Sequence, residues 1–263
     1  MKLVIAYKGI SFSIDYIYRH THEKETILYL HGLGSSKEDF QPALSNERFS
    51  NYNILTFDFP GCGKSSYSSE VSLDIDDLVL MVKKLSDNFG LETIHIIGHS
   101  MGGLTGLLFA NRYPEKVQSF VNIEGNLDMA DCRVFSRFVN DYTVDSNEKI
   151  FFSDFKSQLN KNDSTEYDIF VSNLSEKIKY NPLRDYSQSI VKYCIRSPLL
   201  EYFLNLPVDK YFIYGEYNRN LPYIPVLVNN EIPYLEIPNS NHFPFYANPT
   251  FFFNELGKIY GLC

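Results

Sequence analysis

The sequence predicts an α/β fold: a mostly parallel eight-stranded sheet flanked by helices, with a helical block inserted after the sixth strand. Three observations predict it. Short continuous apolar runs alternate with segments of helical period. Those runs lack the polar alternation of half-exposed strands, so they suit a parallel sheet covered on both faces. Strand signals then stop in mid-chain for about 80 residues before resuming. At 263 residues the chain is long enough for one such α/β unit.

Taken in order, Lys2 to Tyr7 and Ser11 to Tyr18 read as strands joined by a hairpin at "KGI". "TILYLHG" is the third strand, followed by a polar, helix-capable segment, "SSKEDFQPAL". "YNILTFDFPG" is the fourth, ending in a Pro-Gly turn. "SLDIDDLVLMVKKLSDNFG" has apolar residues at 75, 78, 79, 82 and 85, a helical period closed by Gly90. Asp74, Asp76 and Asp77 lie at that helix's positive end. "TIHIIG" is the fifth strand, "SMGGLTGLLFANRYP" the next helix and "VQSFVNIEG" the sixth strand. From Asn126 to Leu206, "MADCRVFSRFVNDY", "STEYDIFVSNLSEKIKY" and "SQSIVKYCIRSPLLEYFL" read as helices. "KYFIYG" and "PYLEIPN" are the seventh and eighth strands, and "NPTFFFNELGKIYG" is a closing helix. No internal repeat is present.

Composition excludes several classes. The formal net charge is -8 and no Lys/Arg-rich run exists, which argues against a nucleic-acid partner. No stretch of 18 apolar residues occurs, and the apolar run in "MKLVIAYKGISFSIDY" is too short for a signal peptide, so a cytoplasmic protein without a membrane span is expected. Cys62, Cys132, Cys194 and Cys263 show neither disulfide-framework nor CxxC spacing, which suits a reducing compartment and makes a metal site improbable. Twenty tyrosines, 21 phenylalanines and no tryptophan fit either an apolar pocket or a genomic base bias.

The chemistry begins at "GHSMG", Gly98 to Gly102. It matches G-x-S-x-G between a buried strand and a helix, the context in which the serine sits on a strained turn at the helix's positive end. A serine hydroxyl needs a base. Of six histidines, His20 and His22 fall in a polar turn and His95 lies inside a strand. His99 is held on the elbow, facing away from the serine, and His31 braces the loop after the third strand. His242, in the loop between the last strand and the last helix, is the candidate base for Ser100, because a doubly wound sheet presents such loops at its carboxyl edge.

"HGLGSS", "FDFPGCGKS", "GHSMGG" and "SNHFPFYANP" together resemble the α/β-hydrolase superfamily over essentially the whole chain. The resemblance implies that the backbone N–H groups of Leu33 and Met101 form the oxyanion hole, with Gly32 and Gly34 letting the first loop turn. It also exposes a departure. The usual acid position, three residues past a glycine after the seventh strand, holds Asn218, which carries no charge to stabilise an imidazolium. Glu124, ending the sixth strand, matches the position where some branches carry a glutamate instead. Glu216 is the alternative acid, and Asn218 a hydrogen-bonding neighbour of His242 or Glu124.

In "PGCGKSS", Gly63-Lys64-Ser65 resembles the end of a phosphate loop, but Asp58 stands where the leading glycine is needed, which disfavours ATP. Asp58 and Ser65 are instead expected to order the loop near the elbow; Cys62 there is either a reactive thiol or a structural one. By the resemblance, residues 126–206 form a helical cap on a core of residues 1–125 and 207–263. The cap carries Phe135, Phe138, Phe152, Phe155, Phe170, Tyr193 and Phe203, and its 12 acidic and 10 basic residues offer no strong steering field. The expected activity is hydrolysis of an ester, thioester or lactone with an apolar acyl or aromatic group, on a small-molecule substrate and without cofactor or metal. Carbon-carbon bond hydrolysis, amide hydrolysis and a non-catalytic ligand-binding role are the alternatives.

Overall fold

A computed structural model of the protein describes residues 1–21, 25–132, 148–159, 165–172 and 174–260. The strands are β1 (Lys2–Tyr7), β2 (Ile10–Arg19), β3 (Thr26–Leu30), β4 (Asn53–Phe57), β5 (Ile94–His99), β6 (Val117–Ile123), β7 (Asp209–Gly215) and β8 (Tyr234–Ile237). They form one sheet in the order β1-β2-β4-β3-β5-β6-β7-β8. β2 pairs antiparallel with β1 and β4, and every pairing from β4 through to β8 is parallel. The β1–β2 hairpin closes through Lys8 and Gly9, both at positive φ (48° and 79°), as a tight turn between twisted strands requires.

From β3 the chain steps outward to β4 on one side, and β5 lies on β3's other side. The loops after β3 and β5 therefore leave the sheet's carboxyl edge side by side, where an open α/β sheet forms its crevice. β3 and β4 are buried at every residue, the two-sided burial that their uninterrupted apolar runs anticipate.

The helices before the insertion are α1 (Gln41–Ser45), α2 (Ile75–Asn88) and α3 (Met101–Arg112). α2 starts at the aspartate cluster because Asp74 and Asp77 form a reciprocal capping box, and Asp77 also accepts from Tyr7 Oη and Lys8 Nζ. α3 is buried from Met101 to Ala110.

Between β6 and β7 lie α4 (Glu148–Leu159), α5 (Thr165–Ser172), α6 (Leu174–Lys177), α7 (Tyr180–Arg196) and α8 (Leu199–Leu204). The pattern here is more broken than the sequence suggests. "STEYDIFVSNLSEKIKY" does not stay helical to its end: at Ile178 the chain extends and bridges Cys62, with Gly63 N–H bonded to the Lys177 carbonyl and Lys179 N–H to that of Gly61. α7 starts seven residues before the expected Ser187, since Pro182 falls in its first turn, where a missing N–H costs nothing. It stops at Arg196 because Pro198 disfavours helical backbone at Ser197. Of "MADCRVFSRFVNDY" only Met129–Cys132 is described, as a single 3₁₀ turn; Phe135 and Phe138, like His22 and Cys263, lie outside the described residues. α9 (Ile224–Asn229) joins β7 to β8, and α10 (Pro244–Ala247) and α11 (Pro249–Ile259) follow β8.

A buried ion cluster ties the loop after β3 to the sheet. Lys37 Nζ lies 2.7 Å from Asp15 and 2.8 Å from Asp58, and Asp58 also accepts from the Lys37 and Lys64 backbone N–H groups. Lys37→Ala leaves two carboxylates facing each other, one of them fully buried. The expected loss is about 3 kcal/mol or more, read as a fall in denaturation midpoint; a loss under about 1 kcal/mol would assign the cluster no net role.

Candidate active site

Ser100 joins β5 to α3 with φ 52° and ψ -119°, a strained conformation for a residue with a Cβ, costing about 1–3 kcal/mol. The turn is held on both sides: Ser100 N–H donates to the Ile123 carbonyl, and Leu104 N–H to that of Ser100, each at 3.0 Å. A Cβ at Gly98 would run into the Gly102 carbonyl, and one at Gly102 into that of Leu30. The paired glycines are thus explained by close approach of helix and strands. The Ser100 side chain does not cap α3, and its hydroxyl has no hydrogen bond among the described residues.

Glu124 follows β6 directly and is itself at positive φ (46°), its N–H bonded to the Ile213 carbonyl at 3.0 Å. Its carboxylate is buried and, among the described residues, is bonded by three donor groups. Oε1 accepts from Gly215 N–H (2.7 Å) and Asn218 Nδ2 (2.9 Å), and Oε2 from Asn218 Nδ2 (2.8 Å) and His242 Nδ1 (2.8 Å). An acceptor-only group suits that ring of donors. Asn218 therefore clamps both oxygens of Glu124. With Nδ1–H committed to Glu124, the His242 tautomer leaves Nε2 as the acceptor, and Nε2 has no hydrogen bond among the described residues. Glu216 points elsewhere: it accepts from Arg219 and from Asn239 N–H.

His99 and His31 support the loops around the elbow. His99 Nε2–H donates to the His242 carbonyl at 2.8 Å, and burial, then the nearby His242, pushes its pKa well below the usual imidazole value. A Cβ at Gly32 would stand 2.7 Å from His99 Nδ1 and 3.2 Å from Ser100 Cβ, so Gly32 lets the loop after β3 lie against the elbow. His31 accepts from Phe59 N–H through Nε2 (3.0 Å) and donates through Nδ1 to the Gly32 carbonyl (2.8 Å), joining the loops after β3 and β4. Burial lowers its pKa too, and both rings stay neutral.

Leu33 and Met101 are buried, yet neither backbone N–H has an acceptor among the described residues. Met101 opens α3, where unpaired N–H groups and the helix dipole make a positive pole. Gly34, at φ 73°, turns the loop against Phe170 and Leu174. Phe170 stacks on Phe243 with centroids 4.6 Å apart, and Tyr167 packs edge-on to Phe243 at 5.5 Å. Of the other expected insertion aromatics, Phe203 packs on Phe120 and Phe212. Cys62 is fully buried and its thiol is pushed well up by burial, the marks of a structural cysteine.

Two features of the site escape the sequence reading. Lys177, at the end of α6, donates to Asp39 (2.9 Å) and Tyr246 (3.0 Å), tying the insertion to the loop after β3 and to α10. Glu166, on α5, accepts from Asn241 N–H at 2.7 Å. A signal for Glu166 was present: it shares the 166, 170, 174 stripe with Phe170 and Leu174, all three buried, and an acid on an apolar stripe needs a partner. No cluster of metal-ligating side chains occurs among the described residues, and no helix among them is long and apolar enough to cross a membrane.

A family model described as the alpha/beta hydrolase fold matches residues 25–177. A 2-hydroxy-6-oxononadienedioate/2-hydroxy-6-oxononatrienedioate hydrolase of Paraburkholderia phymatum is 34% identical over 105 residues, 39% of this chain and 36% of that protein. The match thus spans little over a third of that curated relative's length. Among solved structures, a carboxylesterase of Nitrososphaera gargenis superposes with a TM-score of 0.79 at 14% identity, covering 98% of each chain. The enol-lactonase of Burkholderia xenovorans gives 0.72 at 15% identity, covering 98% of this chain and all of that one.

Proposed function

Since the chain belongs to the alpha/beta hydrolase fold family, we propose that it is a serine hydrolase cleaving a carboxylic ester, thioester or lactone through an acyl-enzyme on Ser100. The observation that carries this reading is the buried Glu124 carboxylate bonded to His242 Nδ1, which leaves Nε2 as a base next to the strained elbow. His242 takes the Ser100 proton as the hydroxyl attacks the carbonyl carbon. Glu124 holds the imidazole in the required tautomer and stabilises the imidazolium, with Asn218 fixing the carboxylate. The Leu33 and Met101 amides receive the tetrahedral oxyanion, each worth a few kcal/mol of transition-state stabilisation. His242 then protonates the leaving group, and water, activated by the same nitrogen, releases the acid. The open Ser100 hydroxyl suits this scheme, since such hydrogen bonds often tighten only with substrate bound.

Residues 126–206 act as a cap on a core of residues 1–125 and 207–263. Phe170, Tyr167 and Phe243 pack together where α5 meets the His242 loop, and an aromatic cluster beside the base supports an apolar acyl or aromatic group. The named activities of the carboxylesterase and enol-lactonase neighbours support the ester and lactone classes. The Paraburkholderia relative, a hydrolase named for an oxo-dienedioate, brings an oxo-dicarboxylate substrate and, with it, carbon-carbon hydrolysis as the second reading. Against a dicarboxylate, Lys177 is already bonded to Asp39, and the site carries the carboxyl groups of Glu124 and Glu166. The three described cysteines are free and buried, which supports a reducing, cytoplasmic setting.

The test is turnover of p-nitrophenyl esters of increasing chain length, with fluorophosphonate labelling of the same preparation. Labelling and hydrolysis that improves from acetyl to medium-chain esters are expected. Absence of both would make the protein a non-catalytic ligand-binding member, and activity confined to highly charged substrates would overturn the apolar-substrate reading.

A further inference from the structure

Glu166 sits on α5 with 3% of its surface exposed. Its Oε1 accepts the Asn241 backbone N–H, one residue before His242, and its buried Oε2 has no hydrogen-bond partner among the described residues. It is the only contact of its kind among the described residues: a carboxylate from the helical insertion bonded to the backbone of the His242 loop. Phe170, one turn on, stacks against Phe243, one residue after His242. The loop is thus gripped on both sides of the imidazole by one face of α5. We propose that Glu166 is a positioning residue of the site, seating the His242 loop from α5 and adding a second carboxylate that favours the charged imidazole. The proposal rests on the serine-hydrolase reading above.

The groups facing Glu166 set the sign of the effect. Burial pushes its carboxyl up to about 7 against the Asn241 bond; Glu124 adds to the rise and His242 opposes it. Tyr167, its neighbour on α5, is raised chiefly by its own burial, with Glu124 and Glu166 contributing, and stays neutral. On the acid side of about 7 Glu166 is mostly a neutral acid that still accepts from Asn241. Above it the ionised group stands near the imidazole, and negative charge there stabilises the imidazolium formed in the transition state.

Glu166→Gln separates the two roles, because the amide oxygen still accepts from Asn241 while no charge can form. Wild type and Glu166→Gln should have equal kcat/KM near pH 6, and wild type should be faster by about fivefold near pH 8.5, with the rate of fluorophosphonate labelling following the same curve. Glu166→Asp, one methylene shorter, should lose the Asn241 bond and lower kcat at every pH while KM changes little. A ratio of wild type to Glu166→Gln that stays flat from pH 6 to 8.5 would overturn the inference while leaving the hydrolase reading intact. A wild type that neither labels nor turns over removes both.

Discussion

Ser100→Ala should abolish fluorophosphonate labelling and lower ester turnover by about 10⁵-fold or more, while the protein stays folded. The chemical part follows from the proposed acyl-enzyme: without the hydroxyl no covalent intermediate forms, and the oxyanion amides can accelerate only direct attack by water. The structural part follows from the elbow. Alanine keeps the backbone bonds to Ile123 and Leu104, and no side-chain bond is lost, since Ser100 does not cap α3. Ser100→Gly sharpens the point. At φ 52° and ψ -119° glycine relieves strain that serine and alanine both carry, so this variant should be as inactive as Ser100→Ala yet more stable by about 1 kcal/mol or more. Stability gained on loss of the side chain marks a position kept for activity rather than for folding. Turnover surviving in Ser100→Ala would move the nucleophile elsewhere; an unfolded Ser100→Gly would make the elbow a structural device.

Much of the architecture could be read from local pattern. Two-sided burial shows in the sequence as unbroken apolar runs, so β3, β4 and β5 were legible, as was α2 from its 3.6-residue period and its aspartate cap. Topology then placed Glu124: from Ser100, one helix and one strand return the chain to the same edge of the sheet. Glu216 was harder to separate from it, because only three-dimensional contacts show its carboxylate bonded to Arg219 and Asn239. The insertion was the least legible part. Its helices break at Ile178 and Ser197 for reasons outside their own period: one pairs with Cys62, the other precedes Pro198. Lys37 illustrates the same limit. Nothing local marks a lysine after "HGLGSS" as the buried partner of Asp15 and Asp58, which come from β2 and the end of β4.

Glu124→Gln should lower kcat by about 10³- to 10⁴-fold with little change in KM. The carboxylate is surrounded by donors: Gly215 N–H, Asn218 Nδ2 and His242 Nδ1. A glutamine amide offers one acceptor where two are needed. If its oxygen faces Gly215 and Asn218, its NH₂ faces His242 Nδ1, which must then become the acceptor; the proton moves to Nε2, and the base toward Ser100 is gone. If its oxygen faces His242, its NH₂ meets other donors and the amide is pushed out of place. Either way no negative charge remains to stabilise the imidazolium, which explains why the loss falls on kcat. Asn218→Ala should cost less, about tenfold, since Gly215 and His242 still hold Glu124. Asn218→Asp should be worse than Asn218→Ala, because two carboxylates about 3 Å apart cannot both ionise. Glu216→Gln should stay within about twofold of wild type. The order Glu124→Gln, Asn218→Asp, Asn218→Ala, Glu216→Gln in falling severity is the signature of an acid carried after β6. Near-normal turnover in Glu124→Gln with a collapse in Glu216→Gln would place the acid after β7 instead.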